Sequence, residues 1–281
     1  MSPILSPPQP RLLDCFSGAG GAARGYMDAG FHVTGVDIKP QPRYCGDRFI
    51  QADVMLLLRH RAWLRQFDAI HASPPCQGYS VMHNLPWLRG RVYPLLIKPV
   101  REALEDSGLP WVIENVMGAR KGAKGLVKRG LEDHGLEGDY LCGAMFGLPL
   151  YRHRLFASGG GFHWTPPEHP KHPVRGGERR PRESHDGTTP LDTRKRPHLS
   201  ERLPGTNGTP SLAVRPTLNS WQRGNGAQAP GVGVGHAAGW RIAAKHMGID
   251  WMNRHELTQA IPPLFTWWIG DQLREYLCPP S

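Results

Sequence analysis

The chain has 281 residues, a size that suits one α/β domain with a smaller lobe. Its 34 Lys and Arg against 24 Asp and Glu give a net charge of +10, which favours a polyanionic partner, nucleic acid before membrane surface. No apolar run approaches the ~18 residues of a transmembrane helix, and five widely spaced cysteines without a CxxC pair suggest neither a zinc ribbon nor a disulfide scaffold and fit a reducing compartment.

Residues 1–10 lack the long apolar core of a signal peptide and read as a disordered lead-in. Arg11 to Phe16 is a short apolar run that breaks into Ser17-Gly18-Ala19-Gly20-Gly21. A helix-compatible stretch from Ala22 to Ala29 follows, and His32 to Asp37 reads as the next strand. Strand, glycine turn, helix and strand make a βαβ unit. Arg48 to Asp53 is a third strand, Val54 to Gln66 has helical spacing, and Phe67 to Ala72 is a fourth strand. Leu95 to Ser107 predicts a helix made irregular by Pro99, and Pro110 to Val116 a fifth strand. This alternation argues a mainly parallel sheet with helices on both faces. Residues 157–240 are rich in Gly, Pro and Arg; they read as a loop-rich basic lobe or as disorder. Helical character returns from Gly239, at Trp240–Met247 and as an amphipathic stripe over Pro263–Leu277.

The chemistry gathers at one expected sheet edge. A glycine turn lets backbone approach a ligand at a helix N-terminus. Asp37, 21 residues past Phe16, sits where an acid takes ribose hydroxyls. Asp53 ends the third strand on the same edge, where it could accept from an adenine amino group or merely cap a helix. The fourth strand delivers Pro75-Cys76-Gln77 and the fifth Glu114-Asn115-Val116, so a thiol and a carboxyl face one pocket. Arg152 and Arg154, two apart in an extended segment, share a face suited to a phosphate or a base carbonyl. The 14 histidines show no recognisable ligand spacing, and no metal site is expected.

These motifs, in this order over residues 11–156, resemble the DNA cytosine-5 methyltransferase family, in a small single-chain form like those of phages or restriction–modification systems. Ala243–Asp250 and Thr258–Pro263 are similar, more faintly, to its last two motifs, with Thr258-Gln259 where the family has Gly-Asn. The resemblance implies an α/β fold: a Rossmann-like S-adenosylmethionine-dependent methyltransferase sheet with a small loop-rich target-recognition lobe. It divides the chain into a catalytic and cofactor-binding domain over 11–156, a target-recognition region over 157–238, and a segment 239–281 returning to the catalytic domain. S-adenosylmethionine is the implied cofactor, held by Phe16, Ser17, Gly18, Gly20, Gly21, Asp37, Ile38, Asp53, Val54 and Pro75. Cys76 is the implied nucleophile on carbon 6 of a flipped cytosine, with Glu114, Arg152 and Arg154 as its catalytic partners. Gln77, Asn115, Arg175, Arg179 and Arg180 are implied substrate contacts. The expected partner is double-stranded DNA and the expected state a monomer, in the cytoplasm of a bacterial or phage-infected cell. A catalytically silent binder on this fold, an RNA-directed enzyme and transfer of a modified methyl group remain as alternatives. An ordinary Rossmann dehydrogenase accounts for the glycine turn but not for Pro-Cys-Gln and Glu-Asn-Val.

Overall fold

A computed structural model of the chain describes residues 9–80, 91–148, 150–171 and 240–279. The elements run β1 (Arg11–Cys15), α1 (Gly21–Asp28), β2 (His32–Asp37), β3 (Arg48–Gln51), α2 (Val54–Leu58), α3 (Arg61–Leu64) and β4 (Ala69–Ala72). They continue with α4 (Ile97–Ser107), β5 (Trp111–Asn115), α5 (Lys124–Val127), β6 (Asp139–Leu141), β7 (Arg154–Gly159), α6 (Trp240–Met247), α7 (Arg254–Gln259) and α8 (Pro263–Leu277). Chain contacts separate Lys171–Thr217 as a unit of its own, and all of it beyond Lys171 lies outside the described residues.

One seven-stranded sheet has the order β3-β2-β1-β4-β5-β7-β6. The pairs from β3 through β5 are parallel, while β7 joins β5 and β6 joins β7 antiparallel. This is the Rossmann-like sheet that the motifs imply. The strand order reverses between β1 and β4, whose last residues Cys15 and Ala72 lie opposite each other. Ligands of open α/β sheets bind outside such a switch point.

The central strands are buried on both faces, which is why β1, β4 and β5 read as almost unbroken apolar runs. Alternate residues feed two cores. Leu13, Ile70 and Ile113 pack with Val100 and Leu104 of α4 on one face. Leu12 and Val112 pack with Tyr26 of α1 and with Phe265 and Ile269 of α8 on the other. Each such fully buried side chain contributes about 1.5–3 kcal/mol.

α8 lies so close on α1 that a Cβ at Gly25 would overlap the Pro263 carbonyl and the Thr266 hydroxyl. Thr266 Oγ1 donates to the Ala22 carbonyl at 2.9 Å, so the 15-residue α8 holds the helix that opens the glycine turn.

Two helices differ from the sequence expectation. The stretch from Val54 to Gln66 breaks into α2 and α3, because His60 at φ −92°, ψ 75° leaves the helical region and starts the second. Pro99 does not disturb α4: it is the third residue, in the first turn, where an N–H has no intrahelical partner.

Candidate active site

The switch point carries two loops. After β1, Phe16 adopts φ 59°, alone among the described non-glycine residues in the left-handed region. Such a conformation costs on the order of 1–3 kcal/mol and persists where the surroundings hold it. Gly18 and Gly20 follow at φ 50° and 87°, and a Cβ on Gly18 would meet nothing within 4 Å, so the turn faces open space. Ser17 is buried, and its N–H donates to the Val36 carbonyl at 3.1 Å.

Asp37 ends β2 and accepts from the Gly18 N–H and the Lys39 N–H, both at 3.0 Å. A carboxylate takes about four hydrogen bonds, so capacity remains for two hydroxyls. The next residue, Ile38, is 64% exposed, an apolar face beside that acid. Asp53 caps α2 through the Met55 N–H at 2.8 Å, which places Val54 in the core as the first helical residue. Beneath the turn lies Asp14, fully buried, whose carboxylate oxygens have no hydrogen-bond partner. Burial first, and then the charge of Asp37, holds its carboxyl well above the usual range. A glycine cradle, a ribose-type acid, an exposed apolar flank and an unpartnered buried acid together fit a nucleoside with a polar tail.

After β4, the Ser73 N–H bonds the Cys15 carbonyl at 3.0 Å and the chain turns through Pro75 and Cys76. The Cys76 carbonyl accepts from the Tyr79 and Ser80 N–H groups, both at 3.0 Å. Two side chains not singled out in the sequence hold this loop. Arg129 donates to the Gly78 carbonyl at 2.6 Å, and the Tyr79 hydroxyl takes the Ile97 N–H at 3.1 Å. Met117 opens a short 3-10 turn behind it, where a Cβ on Gly118 would strike the Tyr79 carbonyl.

Cys76 is half-buried and Gln77 exposed. Asn115, expected at the substrate, is instead fully buried. Its amide donates to the Pro74 carbonyl at 2.9 Å, so it positions the loop from below.

Glu114 is 7% exposed and pairs with Arg154, Nε to Oε1, at 3.0 Å. Burial pushes the Glu114 carboxyl up, against the opposing charges of Arg154 and Arg152. The Cys76 thiol is also raised, by burial first and then by the Glu114 charge, while Arg154 and Arg152 oppose the shift. Cys76, Glu114, Arg152 and Arg154 therefore lie within electrostatic reach of one another.

Arg152 does not offer its whole guanidinium to a phosphate. It is buried, and one terminal nitrogen donates to the Thr258 and Ala260 carbonyls at 2.9 and 3.0 Å, while its Nε has no partner. It thus ties the β7 edge to the last turn of α7 and the residue after it. Thr258 and Gln259 turn their side chains to His255, through its carbonyl at 2.7 Å and its ring at 3.0 Å. The expected substrate contacts Arg175, Arg179 and Arg180 lie outside the described residues.

Comparison with known proteins finds similarity to methyltransferases. The chain is 28% identical over 180 residues to the type II methyltransferase M.AquIA of Picosynechococcus sp., covering 53% of this chain and 71% of that protein. It is 35% identical over 82 residues to the type II methyltransferase M1.HphI of Haemophilus parahaemolyticus, 25% of this chain and 22% of the relative. The Dnmt2 methyltransferase of S. pombe superposes with a TM-score of 0.36 at 22% identity, over 53% of this chain and 48% of that one. No protein-family model matches the chain. With its motifs in order on one sheet edge, the chain is similar in sequence to these two type II methyltransferases.

Proposed function

We propose that this chain transfers a methyl group from S-adenosylmethionine to carbon 5 of cytosine in DNA, through a covalent adduct with Cys76. The observation that carries the reading is the half-buried Cys76 thiol beside the Glu114–Arg154 ion pair, at the switch point that also holds the glycine turn. S-adenosylmethionine supplies an electrophilic methyl group. Phe16, Ser17, Gly18, Gly20 and Gly21 would cradle it, Asp37 would hold the ribose, and Ile38, Asp53 and Pro75 would line the adenine side, with Val54 packed in the core behind them.

The target base must leave the duplex to reach Cys76, at a cost of a few kcal/mol. Cys76 rests as a thiol, since burial raises it. Its proton goes to solvent as the thiolate attacks carbon 6, and the electrons of the 5,6 double bond move onto carbon 5. Glu114 stabilises this electron-rich ring by donating a proton toward ring nitrogen 3, a role that its raised carboxyl favours. Arg154 would move from Glu114 to the base carbonyl. Once carbon 5 is methylated, its proton leaves to water, the proton at ring nitrogen 3 returns to Glu114, the double bond re-forms and the Cys76 thiolate departs. Arg152 holds the segment in place from its carbonyl anchors, while the basic lobe over 157–238, with Arg175, Arg179 and Arg180, would contact the polyanion.

A cytosine bearing fluorine at carbon 5 tests this, because it has no proton to lose there. Duplex DNA containing it should form a denaturation-resistant complex with the chain and S-adenosylmethionine. Peptide mapping should place the link on Cys76, and Cys76→Ala should form none. A link to another residue, or none with wild type, would count against the reading.

A further inference from the structure

We propose that Cys142, His153 and His169 form a binding site for a divalent transition metal, zinc by its ligand chemistry. The three come from separate places: Cys142 directly follows β6, His153 directly precedes β7, and His169 lies in the segment after β7. Their spacings, 11 and 16 residues (153 − 142 and 169 − 153), match no standard ligand pattern, so only folding brings them together. Once folded, their ligand atoms all lie within 4.8 Å of one another.

The geometry suits a small tetrahedral ion. His153 Nε2 and His169 Nε2 are 3.2 Å apart. Zinc–nitrogen bonds of about 2.0–2.1 Å at a tetrahedral angle put two nitrogens roughly 3.3 Å apart. A hydrogen bond between two neutral imidazoles accounts for that distance alone. It does not account for a fully buried cysteine whose sulfur lies within 4.8 Å of a ring nitrogen of each histidine. The two rings lie near-parallel, with centroids 5.2 Å apart and planes at 26°. The Tyr140 ring packs 5.5 Å from each and limits their rotation. One thiolate and two imidazoles select zinc over magnesium or calcium, which prefer oxygen ligands. With three protein ligands, the fourth position falls to water or another donor.

The site is a brace. His153 stands between Arg152 and Arg154, so a bound ion fixes the backbone that carries both guanidiniums. His169 lies two residues before Lys171, so the same ion would pin the chain to the β6–β7 edge as it leaves the sheet. None of this depends on which base, or which polymer, the chain modifies.

Metal analysis and cobalt titration of the untagged full-length chain test it. Purified without chelator, the chain should carry about one equivalent of zinc. After chelation, Co²⁺ alone should restore a thiolate-to-cobalt charge-transfer absorption with ligand-field bands of tetrahedral intensity. That absorption should vanish in Cys142→Ser, and His169→Gln should weaken Co²⁺ binding by at least about tenfold. It should persist in Cys76→Ala. Where Cys142→Ser fails to fold, His169→Gln, at a half-buried position, decides the matter. No zinc and no thiolate absorption, or an absorption indifferent to His169→Gln, would overturn the proposal.

Discussion

Arg154 reaches Glu114 across the antiparallel β5–β7 ladder, its Nε 3.0 Å from Oε1, one diagonal step from the direct pair Glu114–Phe156. The pair couples the strand that carries the acid to the segment that carries both arginines, and Cys76 feels both charges. Replacing Glu114 by Gln removes a charge that raises the Cys76 thiol and releases Arg154, which lowers it. The thiol pKa in Glu114→Gln should therefore fall below the wild-type value, read from the pH dependence of alkylation at Cys76. Turnover should fall about 10²–10³-fold, the usual cost of losing one stabilising donor. An unchanged or higher thiol pKa would contradict this coupling.

Arg152 anchors the β7 edge to the Thr258 and Ala260 carbonyls. Arg152→Ala leaves buried carbonyls without their donor, each at a cost of about 1–3 kcal/mol. Thermal unfolding should show a clear drop in Tm even without substrate. A variant as stable as wild type but inactive would mean that Arg152 acts on the substrate alone.

Gly25 lets α8 lie on α1, with no room for a Cβ between them. Gly25→Ala should cost about 1–3 kcal/mol or more by overpacking. Gly125→Ala, where a Cβ would meet nothing within 4 Å inside α5, should be neutral or slightly stabilising. Comparing the two melting curves checks the contact, and equal effects would refute it.

His71 lies fully buried in β4, between the Tyr26 hydroxyl at 3.1 Å and the Ser73 hydroxyl at 2.9 Å. Burial lowers its pKa from 6.5 to about 3. The unfolded chain takes up this proton near 6.5 and the folded chain does not. The group's contribution to stability is therefore full above pH 6.5 and is lost as pH falls toward 3, at about 1.4 kcal/mol per pH unit. The ring resonances of His71, assigned with His71→Gln, should not titrate between pH 8 and 5 (a window on the order of one unit or more around the ordinary midpoint). A midpoint near that of an exposed histidine would refute the burial argument.

The sheet edge was legible because its signals are local. The glycine turn, Pro75-Cys76-Gln77 and Glu114-Asn115-Val116 each sit at a strand end, and strand ends of a parallel sheet share an edge. The strand register, and with it the position of Asp37 one residue before the exposed Ile38, follows from the same apolar runs. What depends on distant pairing was not legible. Nothing near Asn115 in sequence says that its amide meets Pro74, 41 residues back, nor that Arg152 meets Thr258, 106 residues on. The split between α2 and α3 turns on one backbone angle at His60, which the apolar spacing does not encode. Cys142, His153 and His169 belong to the same class, three ordinary residues until β6 and β7 pair.

Methyl transfer to carbon 5 of cytosine in DNA by Cys76 is our proposal for this chain. Nucleoside mass spectrometry tests it most directly: incubate the full-length chain and S-adenosylmethionine with unmethylated duplex DNA and, in parallel, with RNA, then digest each. The DNA should yield 5-methyl-2′-deoxycytidine, absent with Cys76→Ala. A methylated nucleoside from RNA alone, a different modified base, or an active Cys76→Ala would contradict it.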